Sequence, residues 1–259
     1  MRRKKFVWDA RYKELYNIIG RQMDLVSVVI PTYNRFKYLL NLIASVKAQT
    51  YPNIEIIVVN DCSTEKEYYE HNWDGVTIIH LKTNSKSIFG YVSCGYVRNQ
   101  GINHARGKYV AFCDDDDIWF PTKIELQVSR MKETGCKMSA TDGLLGKGVY
   151  DSTKLYPRYN AEYYYSCLHN IYKTKGSSLL DSGFPIIWDI NFLRIHNCVI
   201  GSSVILEKDI LDKINNFAPI RTGEEDWDCW LRALEHTNCA YVPDICFYYD
   251  SGHGYGINY

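Results

Sequence analysis

Short apolar runs rich in β-branched residues alternate with helical stretches through the first half of the chain, and this alternation constrains the fold most tightly. Val26 to Ile30 forms one such run and stops at Pro31, and Ile54 to Val59 forms another, ending in Asn60-Asp61. Val76 to His80 and Tyr109 to Cys113 read as two further strands. Between them, Tyr38 to Ala48 and Gly95 to His104 have helical periodicity, and Thr64 with Glu67 fits a capping box that opens another helix. Pro121 suits the first turn of a helix reaching Glu133. Such alternation predicts an α/β fold: a Rossmann-like, mostly parallel sheet flanked by helices, with ligands bound beyond the carboxyl ends of its strands. The polar signals cluster there, as Pro31-Thr32-Tyr33-Asn34, Asn60-Asp61 and Asp114-Asp115-Asp116-Asp117.

With 259 residues, 46% of them hydrophobic, the chain has ample material for a core. We expect a single domain over 1–259, with a nucleotide-binding half at 25–140 followed by a variable half at 141–259 on a shared sheet. Residues 141–200 are rich in Tyr and Gly without a clean period, whereas Ile200 to Leu206 reads as a strand and Asp226 to Glu235 as a helix. Thirty basic and thirty acidic residues leave no net charge, which argues against nucleic acid as a partner. No apolar run approaches the roughly 18–20 residues of a transmembrane segment. At the N-terminus, residues 1–24 carry Arg2, Arg3, Lys4 and Lys5 without a following apolar core, while Trp8, Tyr12, Leu15 and Ile19 suggest a helical extension. Nine cysteines without CxxC pairs suggest buried free thiols and a cytoplasmic location.

Four consecutive aspartates after a hydrophobic strand repel one another unless a cation or hydrogen-bond donors neutralise them. Mg²⁺ and Mn²⁺ take such oxygen ligands and bridge to phosphates; a solvated acidic turn is the alternative. Asp61 is placed to accept from a base or ribose, or else to form an Asx turn or helix cap. Arg98 faces the same end of the sheet, where a surface salt bridge is the plainer account. Glu224-Glu225-Asp226 opens an aromatic helix, as acids favourable to a helix dipole also would. His253 lies between two glycines near the C-terminus, and Tyr156, Tyr159, Tyr163, Tyr164 and Tyr165 suit either sugar stacking or cover for the core.

Taken in order, these segments resemble glycosyltransferase family 2, inverting enzymes of GT-A fold. The resemblance runs from Val26 to Arg35 through Ser45 to Thr50, Ile56 to Ser63, Arg98 to Ile102 and Gly107 to Phe112 with the aspartates that follow, and returns at Gly223 to Trp230. It implies that Thr32, Asp61 and Arg98 hold the nucleotide, with Asp61 on the base and Pro31, Tyr33, Asn34 and Asp114 beside them. Asp114-Asp115-Asp116 matches the DxD motif, in which Asp116 would bind the metal and Asp115 the ribose or a metal-bound water. Glu225 and Asp226 match the pair that supplies the catalytic base, and His253 would complete the metal site. Cys62 replaces the family's usual glycine. Gln127 and Arg130 keep the spacing of a polymerase motif, but Met131 replaces its tryptophan, which points to transfer of a single sugar.

The expected function is Mn²⁺- or Mg²⁺-dependent, inverting transfer of one sugar from a nucleotide-diphosphate sugar, of UDP type, to a glycan, lipid-linked or protein acceptor. The alternatives are an Mg²⁺-dependent phosphohydrolase of the aspartyl-nucleophile type and a non-catalytic nucleotide-sugar-binding module.

Overall fold

In the computed structural model, residues 23–252 are described; the expected N-terminal helix and His253 lie outside them. Strands β1 (Val26–Thr32), β2 (Ile54–Asn60), β3 (Thr77–His80) and β4 (Tyr109–Phe112) form the first half of the sheet. Strands β5 (Ile118–Trp119), β6 (Met138–Gly146), β7 (Ile187–Trp188), β8 (Ile205–Glu207) and β9 (Cys239–Asp250) follow. The helices are α1 (Phe36–Lys47), α2 (Glu67–Glu70), α3 (Ser85–Phe89), α4 (Cys94–Ile102), α5 (Lys123–Thr134), α6 (Tyr165–Thr174), α7 (Ile190–Ile195), α8 (Lys208–Lys213) and α9 (Glu225–Leu234).

The order across the sheet is β3-β2-β1-β4-β8-β6-β9-β5, with β7 also paired to β9. Pairing is parallel from β3 to β4 and again between β6 and β9, while β8 runs antiparallel to both its neighbours. Every residue of β1 is buried, as expected of a central strand covered on both faces. Its side chains alternate between two cores: Val29 packs with Val59, Val97 and Phe112, whereas Val28 and Ile30 pack with Leu39, Leu42 and Val58. Gly101 lets α4 lie flat on the sheet, because a Cβ there would stand 2.4 Å from Val29 Cγ1.

Local structure departs from the sequence reading in three places. Strand β1 continues through Pro31 to Thr32. On the β4 side its register ends at Val29–Phe112, so the proline removes no ladder bond there. Thr64 does not cap a helix; its N–H donates to Asn34 Oδ1 at 2.8 Å, and α2 begins only at Glu67. The expected strand from Ile200 is a 3₁₀ turn over Gly201–Ser203 before β8 begins. Ser203 Oγ donates to the Ile200 carbonyl at 2.7 Å, and short hydroxyl side chains of this kind compete with ladder formation.

Gln127 bonds to Ser139 and Ser203 and accepts from Lys123, so it ties α5 to the sheet. All nine cysteines are free; Cys113, Cys136 and Cys198 are buried, and Cys94 is partly so. Among the described residues no helix is long and apolar enough to cross a membrane. Tyr159 is buried against Tyr164 and Tyr249, while Tyr163 is exposed.

Candidate active site

A cleft of about 240 Å³ opens beyond the carboxyl ends of β1 and β4. Pro31, Thr32, Tyr33 and Arg35 reach it from β1 and the turn after it, Asp114, Asp115 and Asp116 from the segment after β4, and Cys94 and Arg98 from α4. Gly223, Glu225 and Asp226 enter from the start of α9, and Tyr249 and Asp250 from the end of β9.

The aspartate run is divided by its partners. Asp114 accepts from Arg98 Nη2 at 2.5 Å, and its own N–H donates to Ser202 Oγ at 2.9 Å. Asp115 Oδ1 and Asp116 Oδ2 each lie 3.0 Å from Arg35 Nη1. Asp117 is fully buried and does not line the cleft; its Oδ1 accepts from the Asp250 N–H at 2.9 Å. Burial, reinforced by Asp116 and Asp114, pushes the Asp117 carboxyl well above the ordinary aspartate range. Asp116 is pushed up to about 8, first by burial and then by Asp115, while Arg35 pulls it back. Asp115 is also raised by burial, with Arg35 and Thr32 opposing. In all, the cleft is lined by six carboxylates against two guanidinium groups.

That donor set suits a hard divalent ion. No group of three or more His, Cys, Asp or Glu among the described residues is arranged to enclose one. Mg²⁺ is commonly bound by one or two carboxylates plus substrate phosphates rather than by an all-protein cage, so Asp116 with an incoming diphosphate fits the requirement.

Asp226 and Glu225 differ in what they hold. Glu225 is buried; Oε1 accepts from the Gly95 N–H at 2.6 Å and Oε2 from Ser93 Oγ at 3.4 Å. Gly95 permits that approach, since a Cβ there would stand 3.2 Å from both Cδ and Oε2 of Glu225. Asp226 is only partly buried and accepts from the Trp227 N–H at 2.6 Å. Burial raises both carboxyls above their usual values, against the pull of Arg98. Arg98 is a buried hub rather than a surface ion pair: burial opposes its charge, but Asp114, Glu225 and Asp226 keep it firmly protonated.

Two of the expected nucleotide-binding residues lie off the cleft. Asn34 accepts from Thr64 with its side chain, and its own N–H donates to Ser63 Oγ at 2.9 Å. Asp61 is fully buried; Oδ1 accepts from the Ser85 N–H at 2.8 Å and Oδ2 from Ser85 Oγ at 2.7 Å. Both oxygens thus hold Ser85 at the first position of α3, whose cap residue is Asn84. Cys62 beside Asp61 has φ 61°, so the turn keeps the left-handed shape that glycine would adopt without strain. Arg35, Ser93, Gly95 and Ser202 were missed. Arg35 alone had a signal, as a cation next to the Pro31–Asn34 turn; the others are brought in by contacts distant in sequence.

The sequence profile of glycosyl transferase family 2 matches residues 27–197. The chain is 30% identical over 224 residues to an uncharacterized glycosyltransferase of Rickettsia prowazekii (strain Madrid E), covering 85% of this chain and 62% of that protein. It is 36% identical over 122 residues to a glycosyltransferase named for teichuronic acid biosynthesis in Bacillus subtilis (strain 168), covering 45% of this chain and 46% of that protein. A 26% identity over 220 residues links it to the UDP-Glc:alpha-D-GlcNAc-diphosphoundecaprenol beta-1,3-glucosyltransferase WfgD of Escherichia coli, covering 84% of this chain and 73% of that one. The chain thus spans about half to two thirds of the length of the first two relatives. The crystal structure of S. aureus TarS 1-349 in complex with UDP-GlcNAc superposes with a TM-score of 0.62 at 19% identity, covering 90% of this chain and 60% of that one. That likeness establishes the GT-A fold. By the extent of the profile match, this chain belongs to glycosyl transferase family 2.

Proposed function

We propose that the protein transfers one sugar from a UDP-sugar to an acceptor hydroxyl, with inversion at the anomeric carbon, in the synthesis of a cell-surface glycan. The donor set carries this reading: the cleft offers six carboxyl groups, and its two guanidinium groups are already engaged with Asp114, Asp115 and Asp116, so a diphosphate needs a cation to join it to that acidic wall. Asp116 would hold a Mn²⁺ or Mg²⁺ ion there, and His253 remains a candidate to complete its shell. When bound, the ion offsets charge developing on the departing diphosphate.

The chain's own residues supply the rest. Thr32 and Tyr33 line the cleft where the nucleoside would lie, and Arg98 fixes Asp114. Asp61 reaches the uracil if Ser85 and Asn84 give up their hydrogen bonds to it. Asp226 takes the proton of the acceptor hydroxyl as that oxygen bonds to the anomeric carbon and the bond to the diphosphate breaks. Glu225 positions α4, and with it Arg98, through Gly95 and Ser93.

The WfgD name includes a UDP-glucose donor and a diphosphoundecaprenol-linked acceptor, and TarS has been crystallised with UDP and UDP-GlcNAc. These names favour a UDP-sugar donor and a glycan or lipid-linked acceptor over a protein. A cytoplasmic location would keep the free thiols reduced. Family membership leaves the phosphohydrolase alternative without support.

A panel of nucleotide sugars, tested by thermal shift with and without Mn²⁺ and then by turnover, is the direct test. One UDP-sugar should stabilise the fold in a Mn²⁺-dependent way and release UDP, and Asp116→Ala should abolish both. Full metal-dependent transfer by Asp116→Ala would overturn the reading, as would phosphate release from phosphomonoesters in place of transfer. Stabilisation without turnover under any acceptor condition would indicate a binding module.

A further inference from the structure

The cation that spans the aspartate pair belongs to the protein itself. A single nitrogen, Arg35 Nη1, serves both carboxylates at 3.0 Å, and all three side chains are largely enclosed. We infer that Arg35 is a displaceable counter-ion. It pairs with Asp115 and Asp116 and passes to the donor diphosphate when metal and nucleotide bind, making their binding cooperative. This inference rests on the glycosyltransferase reading above.

The two arginines of the cleft are built differently. Arg98 is buried, paired to Asp114, and lies over the Phe217 ring at 5.5 Å; any movement would strand Asp114. Arg35 precedes α1, and its backbone is held while its side chain reaches out. Its N–H donates to Tyr68 Oη at 3.1 Å, and that hydroxyl lies 2.5 Å from Thr32 Oγ1 in a fully buried position. The anchor is therefore fixed at the main chain, and the guanidinium sits at the end of a long, rotatable stem.

A single nitrogen divided between two carboxyl groups satisfies each of them only in part, and a divalent ion would hold the pair better. An ion arriving alone, however, must separate Arg35 from both of its partners. A diphosphate arriving with the ion offers the planar fork of the displaced guanidinium a bidentate acceptor. Metal alone should therefore bind weakly, and nucleotide should tighten it. By linkage, metal must tighten the nucleotide by the same factor.

Mn²⁺ titrations followed by electron paramagnetic resonance, with and without UDP, measure that factor in the intact chain. In Arg35→Gln, Mn²⁺ alone should bind about tenfold more tightly than in wild type, and the tightening by UDP should shrink by about tenfold, both within the usual range for coupled sites. Arg35→Lys, which restores a point charge, should recover part of the coupling. A merely structural role predicts weaker binding of both ligands, with the Lys variant no better than Gln. Unchanged or weaker Mn²⁺ binding in Arg35→Gln, with the coupling to UDP intact, would overturn the inference and leave the glycosyltransferase reading standing. If wild type bound no Mn²⁺ even with UDP present, both would fall.

Discussion

Glu225 and Asp226 are neighbours at the start of α9, yet their replacement should injure the protein in different ways. Asp226 accepts from the Trp227 N–H, and an asparagine oxygen can replace that acceptor, so Asp226→Asn should fold within about 0.5 kcal/mol of wild type. On the proposal that Asp226 is the general base, its loss should lower kcat by about 10²–10⁴-fold, or about 3–5 kcal/mol of barrier, with the KM for donor nearly unchanged. Glu225→Ala instead strands the Gly95 N–H and the Ser93 hydroxyl in a buried site, at about 1–3 kcal/mol for each group. At roughly 2–4 °C per kcal/mol, its Tm should fall by about 4–24 °C. Glu225→Gln retains an acceptor for Gly95 and should lose much less. Thermal unfolding together with steady-state kinetics at saturating Mn²⁺ separates the two roles. If Glu225→Gln folded normally but lost as much kcat as expected of Asp226→Asn, while Asp226→Asn stayed active, the assignment of the base would be reversed.

Other outcomes follow from the electrostatics and backbone. Burial raises the Asp226 carboxyl above its ordinary 3.8, and a base works only when deprotonated. kcat/KM should therefore fall as pH drops through that raised value, earlier than for an ordinary aspartate; a pH profile whose acid limb persists unchanged in the residual activity of Asp226→Asn would contradict this. Lys123 is fully buried with Nζ 2.6 Å from Gln127 Oε1 and 4.1 Å from the Trp119 ring centre, and burial pulls its pKa from 10.5 down to about 8. The folded state thus carries a penalty in full below about 8 that is relieved as pH rises towards 10.5. Wild type should gain up to about 3 kcal/mol of stability relative to Lys123→Met between pH 7 and 10.5; denaturant titrations giving a constant difference would refute this. Cys62→Gly should relieve about 1–2 kcal/mol of left-handed strain, less about 0.4–1 kcal/mol of added chain entropy. A loss in the denaturation midpoint would mean that the Cys62 contact with the Lys82 carbonyl, at 3.9 Å, outweighs the strain.

Much of the site was legible because its signals are local. An apolar run followed by aspartates is a strand end bearing charge, and the structure places Asp114, Asp115 and Asp116 in the cleft just beyond β4. The Ile200 to Leu206 run misled because β-branched residues flank Gly201-Ser202-Ser203, whose hydroxyls find backbone partners without a ladder. Asp61 was read as a free acceptor or a cap in equal measure. Only the folded chain brings Ser85 against it from 24 positions away and engages both of its oxygens.

Periodicity and punctuation by themselves determined the first half of the fold: parallel strands, covering helices, and polar residues at the carboxyl edge. They could do so because burial of a strand or helix face is written every two or three to four residues. Tertiary structure alone decided the division of labour among the acids. Glu225 meets Gly95 across 130 residues and Arg35 meets Asp115 across 80, and no local pattern encodes which distant donor a carboxylate will find.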